Sequence, residues 1–300
     1  MPQNENFLLT DMNNMTQFPI ESLNLQMLNV GFAKHNGDWN WKNVVSPFTR
    51  FFYVTEGDAK LVFSEKTVTL KPHHMYIVPP YVQHSYECQG HFSLYYLHVY
   101  ERVKSESNVF ELYTLPTEVK AEPIDALIFE NFCKAHPDAK LPESNPVTYD
   151  NQSHFTNYVQ RYNKFPLWRK MRLRGAMLLL FSRFMEGAVS KMWTNDERMR
   201  RVLSYIHDNL YSEMNLDTLA EVACVTKHYL IRLFDRELGM SPIQYINKKK
   251  IEKSQLLLFT ENMPVKEVAF LMGFRDMSYF IRLFKHFVGV TPRAYKVQAM

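Results

Sequence analysis

Residues 229–246, YLIRLFDRELGMSPIQYI, recur fifty positions later as residues 279–296, YFIRLFKHFVGVTPRAYK. Eight of the eighteen positions are identical: Tyr229/Tyr279, Ile231/Ile281, Arg232/Arg282, Leu233/Leu283, Phe234/Phe284, Gly239/Gly289, Pro242/Pro292 and Tyr245/Tyr295. Unrelated segments do not match this well at one fixed offset, so the chain must build one unit of fold twice. Apolar residues at helical spacing, closed by glycine and then proline, make that unit a capped helix. Two equivalent helices with an arginine at the same place suit a target that repeats in space, and duplex DNA is such a target.

The residues around each copy complete the unit. Leu216–Ala223 reads as a short amphipathic helix, Cys224-Val225-Thr226 as a tight turn, and Thr226 as the N-cap of a second helix running from Lys227 to about Leu238. Gly239 ends it in the left-handed conformation that glycine adopts at no steric cost. This is the order of a helix-turn-helix. Leu230, Leu233, Phe234 and Leu238 share an inward face, whereas His228, Ile231, Arg232 and Asp235 share an outward one. An outward isoleucine between histidine and arginine suits a major groove, where arginine bonds guanine and isoleucine meets a thymine methyl. In the second copy Val265–Met272 is the first helix, Gly273-Phe274-Arg275 the turn and Asp276 the N-cap, with Ser278, Ile281 and Arg282 outward. Between the copies Pro242–Phe259 reads as one helix, with proline in its first turn. At ~1.5 Å per residue it spans about 27 Å, enough to separate two helices bound for successive grooves. Lys248-Lys249-Lys250 on that helix reads equally as a solvated face or a phosphate contact.

Charge follows the repeat. From Arg198 onward there are 16 Lys+Arg against 10 Asp+Glu, a net of +6, while residues 1–197 carry 19 against 21, a net of −2. A basic excess confined to the repeat is the footprint of a nucleic-acid-binding module. Cys88, Cys133 and Cys224 form neither a CxxC pair nor a disulfide framework, which fits a reducing compartment. The N-terminal MPQNENFLLT lacks the pattern of a signal peptide, and the most apolar run, Ala176–Phe181, is far shorter than the ~20 residues a membrane helix needs. A cytoplasmic protein without membrane partners is expected.

The other half reads differently. Residues 1–45 suggest an arm leading into strands. Phe51–Thr55, Lys60–Phe63, Thr67–Leu70, Met75–Val78, His84–Cys88 and Phe92–Val99 are short runs punctuated by turns, the pattern of an all-β sandwich or barrel. Residues 115–150 are proline-rich and carry little periodicity. From about Ser153 the period turns helical, and a helix with a broad apolar stripe runs through Phe184. That stripe fits packing on the barrel or on a second chain. Gly187–Asp196 reads as a linker.

The repeat resembles the DNA-binding domain of the AraC/XylS regulators. The resemblance is carried by Leu219-Ala220, Tyr229-Leu230, Arg232-Leu233-Phe234, Gly239-Met240-Ser241-Pro242 and Tyr245, then Ile251-Glu252-Lys253-Ser254, then Gly273-Phe274, Ser278-Tyr279-Phe280, Arg282-Leu283-Phe284-Lys285, Gly289-Val290-Thr291-Pro292 and Tyr295. Cys224-Val225 departs from the Gly-Phe of the second turn. The β region resembles the family's cupin-like ligand-binding domain through Val54-Thr55-Glu56-Gly57, Leu70-Lys71-Pro72, Tyr76-Ile77-Val78-Pro79-Pro80 and His84-Ser85-Tyr86. The resemblance implies a multidomain chain: residues 1–110 an arm and an all-β cupin-like barrel, 111–186 a mostly helical dimerisation segment, 187–197 a linker, and 198–300 an all-α domain with two helix-turn-helix motifs joined by a linker helix. It implies base contacts at His228, Ile231, Arg232, Ser278, Ile281 and Arg282, with phosphate contacts at Lys227, Arg236 and Lys285. Tyr86, Tyr96, His98 and His84 fall where members place ligand-facing groups, in keeping with a carbohydrate effector. Expected partners are double-stranded DNA, the small-molecule effector, a second copy of the chain and RNA polymerase. No enzyme, catalytic residue, metal or cofactor is expected. Metal-dependent cupins use a His-x-His pair and a glutamate on an early motif. Phe51–Gly57 offers no such pair, and His84 alone would hold a metal poorly. The competing readings are a ligand-independent regulator whose barrel only dimerises, and a metal-dependent cupin enzyme fused to a DNA-binding domain.

Overall fold

The computed structural model describes residues 20, 23–101, 109–150, 152–190, 196–260 and 263–298; residues 1–19, 21 and 22 of the expected arm lie outside them, and a strand, Leu25–Asn36, occupies part of the rest. Strands β1 (Leu25–Asn36), β2 (Thr49–Gly57), β5 (His74–Val78), β7 (His91–Glu101) and β9 (Glu118–Lys120) form one antiparallel sheet in the order β1-β7-β2-β5-β9. Strands β3 (Ala59–Val62), β4 (Thr67–Leu70) and β6 (Ser85–Glu87) form a second, in the order β4-β3-β6, and β8 (Tyr113–Thr114) pairs with β10 (Val189–Ser190). Six strands lie close to their sequence-expected positions. The long β1 was not foreseen. It pairs along nearly all of β7, and its buried Gln26 and Asn29, with a bulge between Met27 and Asn29, break the alternation that marks a strand.

The large sheet is covered on both faces, and the two-residue period of its strands sorts side chains between them. Phe52, Val54, Tyr76, Val78, Leu94 and Tyr96 pack against Ala59, Leu61, Leu70 and Tyr86 of the small sheet, forming the expected barrel core. Phe51, Tyr53, Met75, Ile77, Leu97 and Val99 point the other way, onto helices. The chain continues through α1 (Val109–Leu112), α2 (Pro123–Ala135), α3 (Pro146–Tyr149), α4 (Gln152–Asn163) and α5 (Leu167–Met185). Helix α2 begins inside the proline-rich stretch because Pro123 takes the first position, where a missing N–H costs nothing, while Glu122 and Asp125 form a capping box. Helices α2 and α5 run antiparallel. Arg183 of α5 pairs with Glu122 and Asp125 at the start of α2, and Arg169 reaches the Ala135 carbonyl and His136 at its end. Leu173, Met177, Leu180, Phe181 and Phe184 of α5 are buried against the sheet. Each such side chain gains about 1.5–3 kcal/mol on leaving water.

The C-terminal module is helical throughout: α6 (Glu197–Asp208), α7 (Leu216–Ala223), α8 (Lys227–Leu238), α9 (Pro242–Thr260), α10 (Val265–Leu271), α11 (Met277–Val288) and α12 (Pro292–Gln298). The boundaries follow the caps read from the sequence. Thr226 Oγ accepts from the Tyr229 amide, Asp276 from the Ser278 amide, and Gly239 and Gly289 close α8 and α11 with φ of 65° and 85°. The two units meet across a cluster in which Leu28, Phe48, Tyr100, Phe155, Tyr158 and Val159 pack with Leu256 of α9 and Tyr295 of α12.

Candidate nucleic-acid interface and ligand pocket

Helices α8 and α11 are the second helices of two helix-turn-helix units. Leu230, Leu233 and Phe234 of α8, and Phe280 and Phe284 of α11, are buried. His228, Ile231, Arg232, Ser278, Ile281 and Arg282 are all exposed, and Ile231 and Ile281 are each 37% exposed, an equality that marks them as equivalent positions on two copies of one surface. Lys227, Arg236 and Lys285 are exposed as well. Lys227 is paired with Asp217 of its own unit, and Arg236 with Glu237 at 2.6 Å, so either would exchange an existing partner for a phosphate. Exposed pairs of this kind are worth only about 0–1 kcal/mol, a small barrier to exchange.

The turns differ in one physical respect. Gly273 has a φ of +72°, and a Cβ there would lie 3.2 Å from Lys250 Nζ. The equivalent residue, Cys224, adopts the same left-handed region at φ 54° with a side chain present. Lys250 itself corrects the reading of the lysine run. Lys248 is exposed and Lys249 pairs with Glu252 at 2.9 Å, but Lys250 is only 4% exposed. Its Nζ donates to the Ser212 carbonyl at 2.8 Å, before the first unit, and to the Met272 carbonyl at 2.7 Å, in the turn of the second. Burial holds its pKa below the ordinary lysine value, with Glu213 opposing the shift. Lys250 is therefore a tie between the two heads, reinforced by an Arg275–Glu213 ion pair.

Between the sheets lies a cavity of about 250 Å³ lined by β1, β2, β7, Trp39, Tyr86, the 140–144 loop and Tyr149. At roughly 30 Å³ per water its volume matches about eight waters, or one small metabolite. Tyr86, Tyr96 and His98 line it. His84 does not: its ring stands behind Tyr86 and is bonded to the Tyr86 hydroxyl at 2.8 Å. Because His84 Nδ1 lies 2.9 Å from the Val82 carbonyl it must donate, so Nε2 accepts from Tyr86. Burial, aided by the Arg50 charge, lowers the His84 pKa to about 3 and keeps the ring neutral. Tyr96 Oη accepts from the Leu141 amide at 2.8 Å and fastens the loop over the cavity.

Arg50, which sequence reading passed over, organises this pocket. It stands opposite His98 across the β2–β7 ladder and is 1% exposed. Nη1 donates to Tyr149 Oη at 2.9 Å and to His98 Nε2 at 3.2 Å; Nη2 donates to Ser46 Oγ at 2.6 Å and to Asp150 Oδ2. Burial alone would favour loss of the Arg50 proton, but Asp150 and Tyr149 reverse that and raise its pKa. Arginine cannot accept, so His98 Nε2 is the acceptor and Nδ1 carries the hydrogen; burial and the adjacent Arg50 lower the His98 pKa. Arg50 Nε, His98 Nδ1 and Asp150 Oδ1 are buried with no hydrogen-bond partner among the described residues. The residues that complete the site lie about a hundred positions from Arg50. One signal was available: an arginine heading the apolar run Phe51–Val54 is a charge entering a core.

A family model described as a helix-turn-helix domain matches residues 219–298, and one described as an AraC-like ligand binding domain matches residues 30–104. The arabinose operon regulatory protein of Escherichia coli is 33% identical over 102 residues, 34% of this chain. The chain spans 35% of that relative's length. The multiple antibiotic resistance protein MarA of Salmonella typhimurium is 30% identical over 112 residues, 37% of this chain and 88% of that one. The crystal structure of ToxT from Vibrio cholerae aligns over 92% of this chain and 98% of that one, at 14% identity and a TM-score of 0.49. Among the described residues no helix is long and apolar enough to cross a membrane.

Proposed function

The chain belongs to the AraC family of transcription regulators, and on that premise we propose that it is a cytoplasmic, sequence-specific DNA-binding regulator whose barrel holds a small-molecule effector. One observation carries the DNA half: two copies of a capped helix expose His228, Ile231, Arg232 and Ser278, Ile281, Arg282 at equivalent places. Inserted into successive major grooves, they would read similar but unequal base sets, because the first position differs. Selection of bound duplexes from a random library by the full chain tests this. The expected product is two short half-sites about one helical turn apart; enrichment without a second half-site would refute the two-headed reading.

For the effector, charge balance favours an uncharged molecule. Arg50 is already neutralised by Asp150, and the other lining charges, Lys34 and Lys140 against Asp38 and Glu143, balance in number. A hydroxyl-rich ligand such as a carbohydrate suits a lining that combines aromatic faces, Trp39, Phe52 and Tyr86, with the polar groups of Tyr86, Tyr96 and His98. A thermal-shift screen with sugars and polyols tests it, and a response confined to anionic metabolites would overturn it.

A homodimer is supported by the outer surface of the α2–α5 pair. Ile124 and Leu127 of α2, with Trp168, Met171 and Leu179 of α5, are exposed there, Trp168 by 61%. One stripe of α5 packs on the sheet, the first of the two alternatives its sequence left open, and the exposed stripe supports the second. Light scattering should give a dimer, and Leu179→Glu a monomer.

A further inference from the structure

Resting on the reading of the cavity as an effector site, we propose that occupancy of the pocket is communicated to the second DNA-reading helix through Asp150 and Phe48, by way of Tyr295. The route is short and continuous. Asp150 sits between Tyr149, a pocket wall, and α4, and it is bonded to both Arg50 and Ser46. Phe48 follows two residues after Ser46. Its ring lies 4.9 Å from the pocket's His98 and 5.1 Å beneath the Arg50 guanidinium. Phe48 is also a member of the cluster that joins the two units, where Phe155 and Tyr158 of α4 pack with Leu256 and Tyr295. One layer of side chains therefore separates the pocket from the DNA-binding module.

Tyr295 makes the connection directional. Its ring belongs both to the interface cluster and to the core under the second head, where it meets Phe284 of α11 at 5.5 Å. The core beneath the first head, built on Leu230, Leu233 and Phe234, shares no member with the interface cluster among the described residues. A ligand that moves Arg50, His98 or Tyr149 in the pocket wall shifts their partners Asp150 and Phe48, which lead to α4 and the interface cluster. Beyond them in the DNA-binding module lie Leu256 of α9 and Tyr295 of α12, and of these two Tyr295 also belongs to the core under α11.

Coupling between sites is reciprocal, so DNA alone can test the route without any effector. Hydrogen exchange is measured on the full chain, free and bound to the duplex it selects from a random library. Binding should slow exchange in α8 and α11, and also in segments 46–50 and 140–150, by about five-fold or more, the low end of ordinary coupling. Asp150→Asn should abolish the remote slowing while leaving that in α11. Should Asp150→Asn lose the β1–β7 protection that marks the folded sheet, Phe48→Leu, which keeps an apolar side chain, carries the same expectation. Unchanged exchange in 46–50 and 140–150 of the wild-type chain, or remote slowing that survives in a folded variant, would overturn the proposal. A sugar and polyol screen without any thermal shift would count against the effector reading instead, since the DNA-induced result uses no ligand.

Discussion

Replacing Arg50 by methionine should be among the most costly single changes in the N-terminal unit, and the structure says why. Methionine occupies much of the space of the arginine stem, so little cavity opens. What vanishes is a fully buried cation with four partners: Tyr149, His98, Ser46 and Asp150. The Asp150 carboxylate is left buried, with Ser46 Oγ at 2.5 Å as its remaining donor. Breaking a buried pair from one side costs about 3–5 kcal/mol, and the orphaned His98 Nε2 adds about 1 kcal/mol, so a loss of roughly 4–6 kcal/mol is expected. The double variant Arg50→Met/Asp150→Leu removes both charges and should recover about 2 kcal/mol or more of that loss. Urea unfolding read by tryptophan fluorescence isolates the effect, because Trp39, Trp41, Trp168 and Trp193 all precede the DNA-binding module. The pH dependence has a definite sign. In Arg50→Met the unpaired carboxylate has a folded-state pKa above its unfolded value, so the penalty is present at neutral pH and shrinks as pH falls through that raised value. A single-variant loss below about 1 kcal/mol, or a double variant equal to the sum of its parts, would refute the view of Arg50 as the charge that holds this site together.

Three further outcomes are expected. In Gly31→Ala the new Cβ would fall 2.2 Å from Tyr96 Oη, opposite it on β7; the ring must turn away, costing about 1–3 kcal/mol and releasing the Leu141 amide, which should exchange faster. Arg232→Ala and Arg282→Ala should each weaken binding by about 1–3 kcal/mol and relax preference at one base pair, whereas Lys285→Ala should weaken all sequences alike and reduce the salt slope by about 1; uniform weakening by the arginine variants would make them phosphate contacts. Buried His84, held neutral with a pKa lowered to about 3, contributes stability that is present above the unfolded value near 6.5 and lost as pH falls below it, about 2 kcal/mol by pH 5. The tryptophan-detected urea midpoint should therefore drop between pH 7 and 5, and a flat profile would contradict the neutral assignment.

The DNA-binding half was legible because its determinants are local. Thr226, Asp276, Gly239, Gly289 and Pro242 act on backbone groups within a turn of themselves, so each could be placed from neighbouring letters alone. Lys250 is the exception: its partners, Ser212 and Met272, are 38 and 22 residues away, and a run of three lysines gives no sign that the third turns inward. In the N-terminal half the short strands were visible through their turns, whereas β1 was masked by Gln26 and Asn29, buried polar residues at positions where an apolar one would have declared a strand. The pocket was half legible. Tyr86, Tyr96 and His98 lie on strands with a readable alternation, but Arg50 and Asp150 become one site only when the segment after α2 folds back over β2, a long-range event with no local signature.

The two copies of the repeat have diverged according to what each must pack against. The second head is tied on three sides. Gly273 leaves room for Lys250, Arg275 pairs with Glu213, and Tyr295 fills the seam with the barrel. The first head keeps Cys224 where a glycine would be unstrained, and the side chain there is exposed, so no close neighbour demands its removal. A left-handed non-glycine residue costs about 1 kcal/mol; the first unit bears that strain in open space, whereas a Cβ at Gly273 would add tight contacts with Lys250 Nζ at 3.2 Å and the Tyr211 carbonyl at 3.3 Å. The outward faces differ in the same sense. His228 against Ser278 would give the heads unequal base contacts on the proposed reading, and the head bearing the smaller residue is the one whose core shares Tyr295 with the interface cluster. If the proposed coupling holds, such a regulator would have a direction on its site: one head joined to the barrel through Tyr295, and one linked to it through α9 and the Lys250 tie.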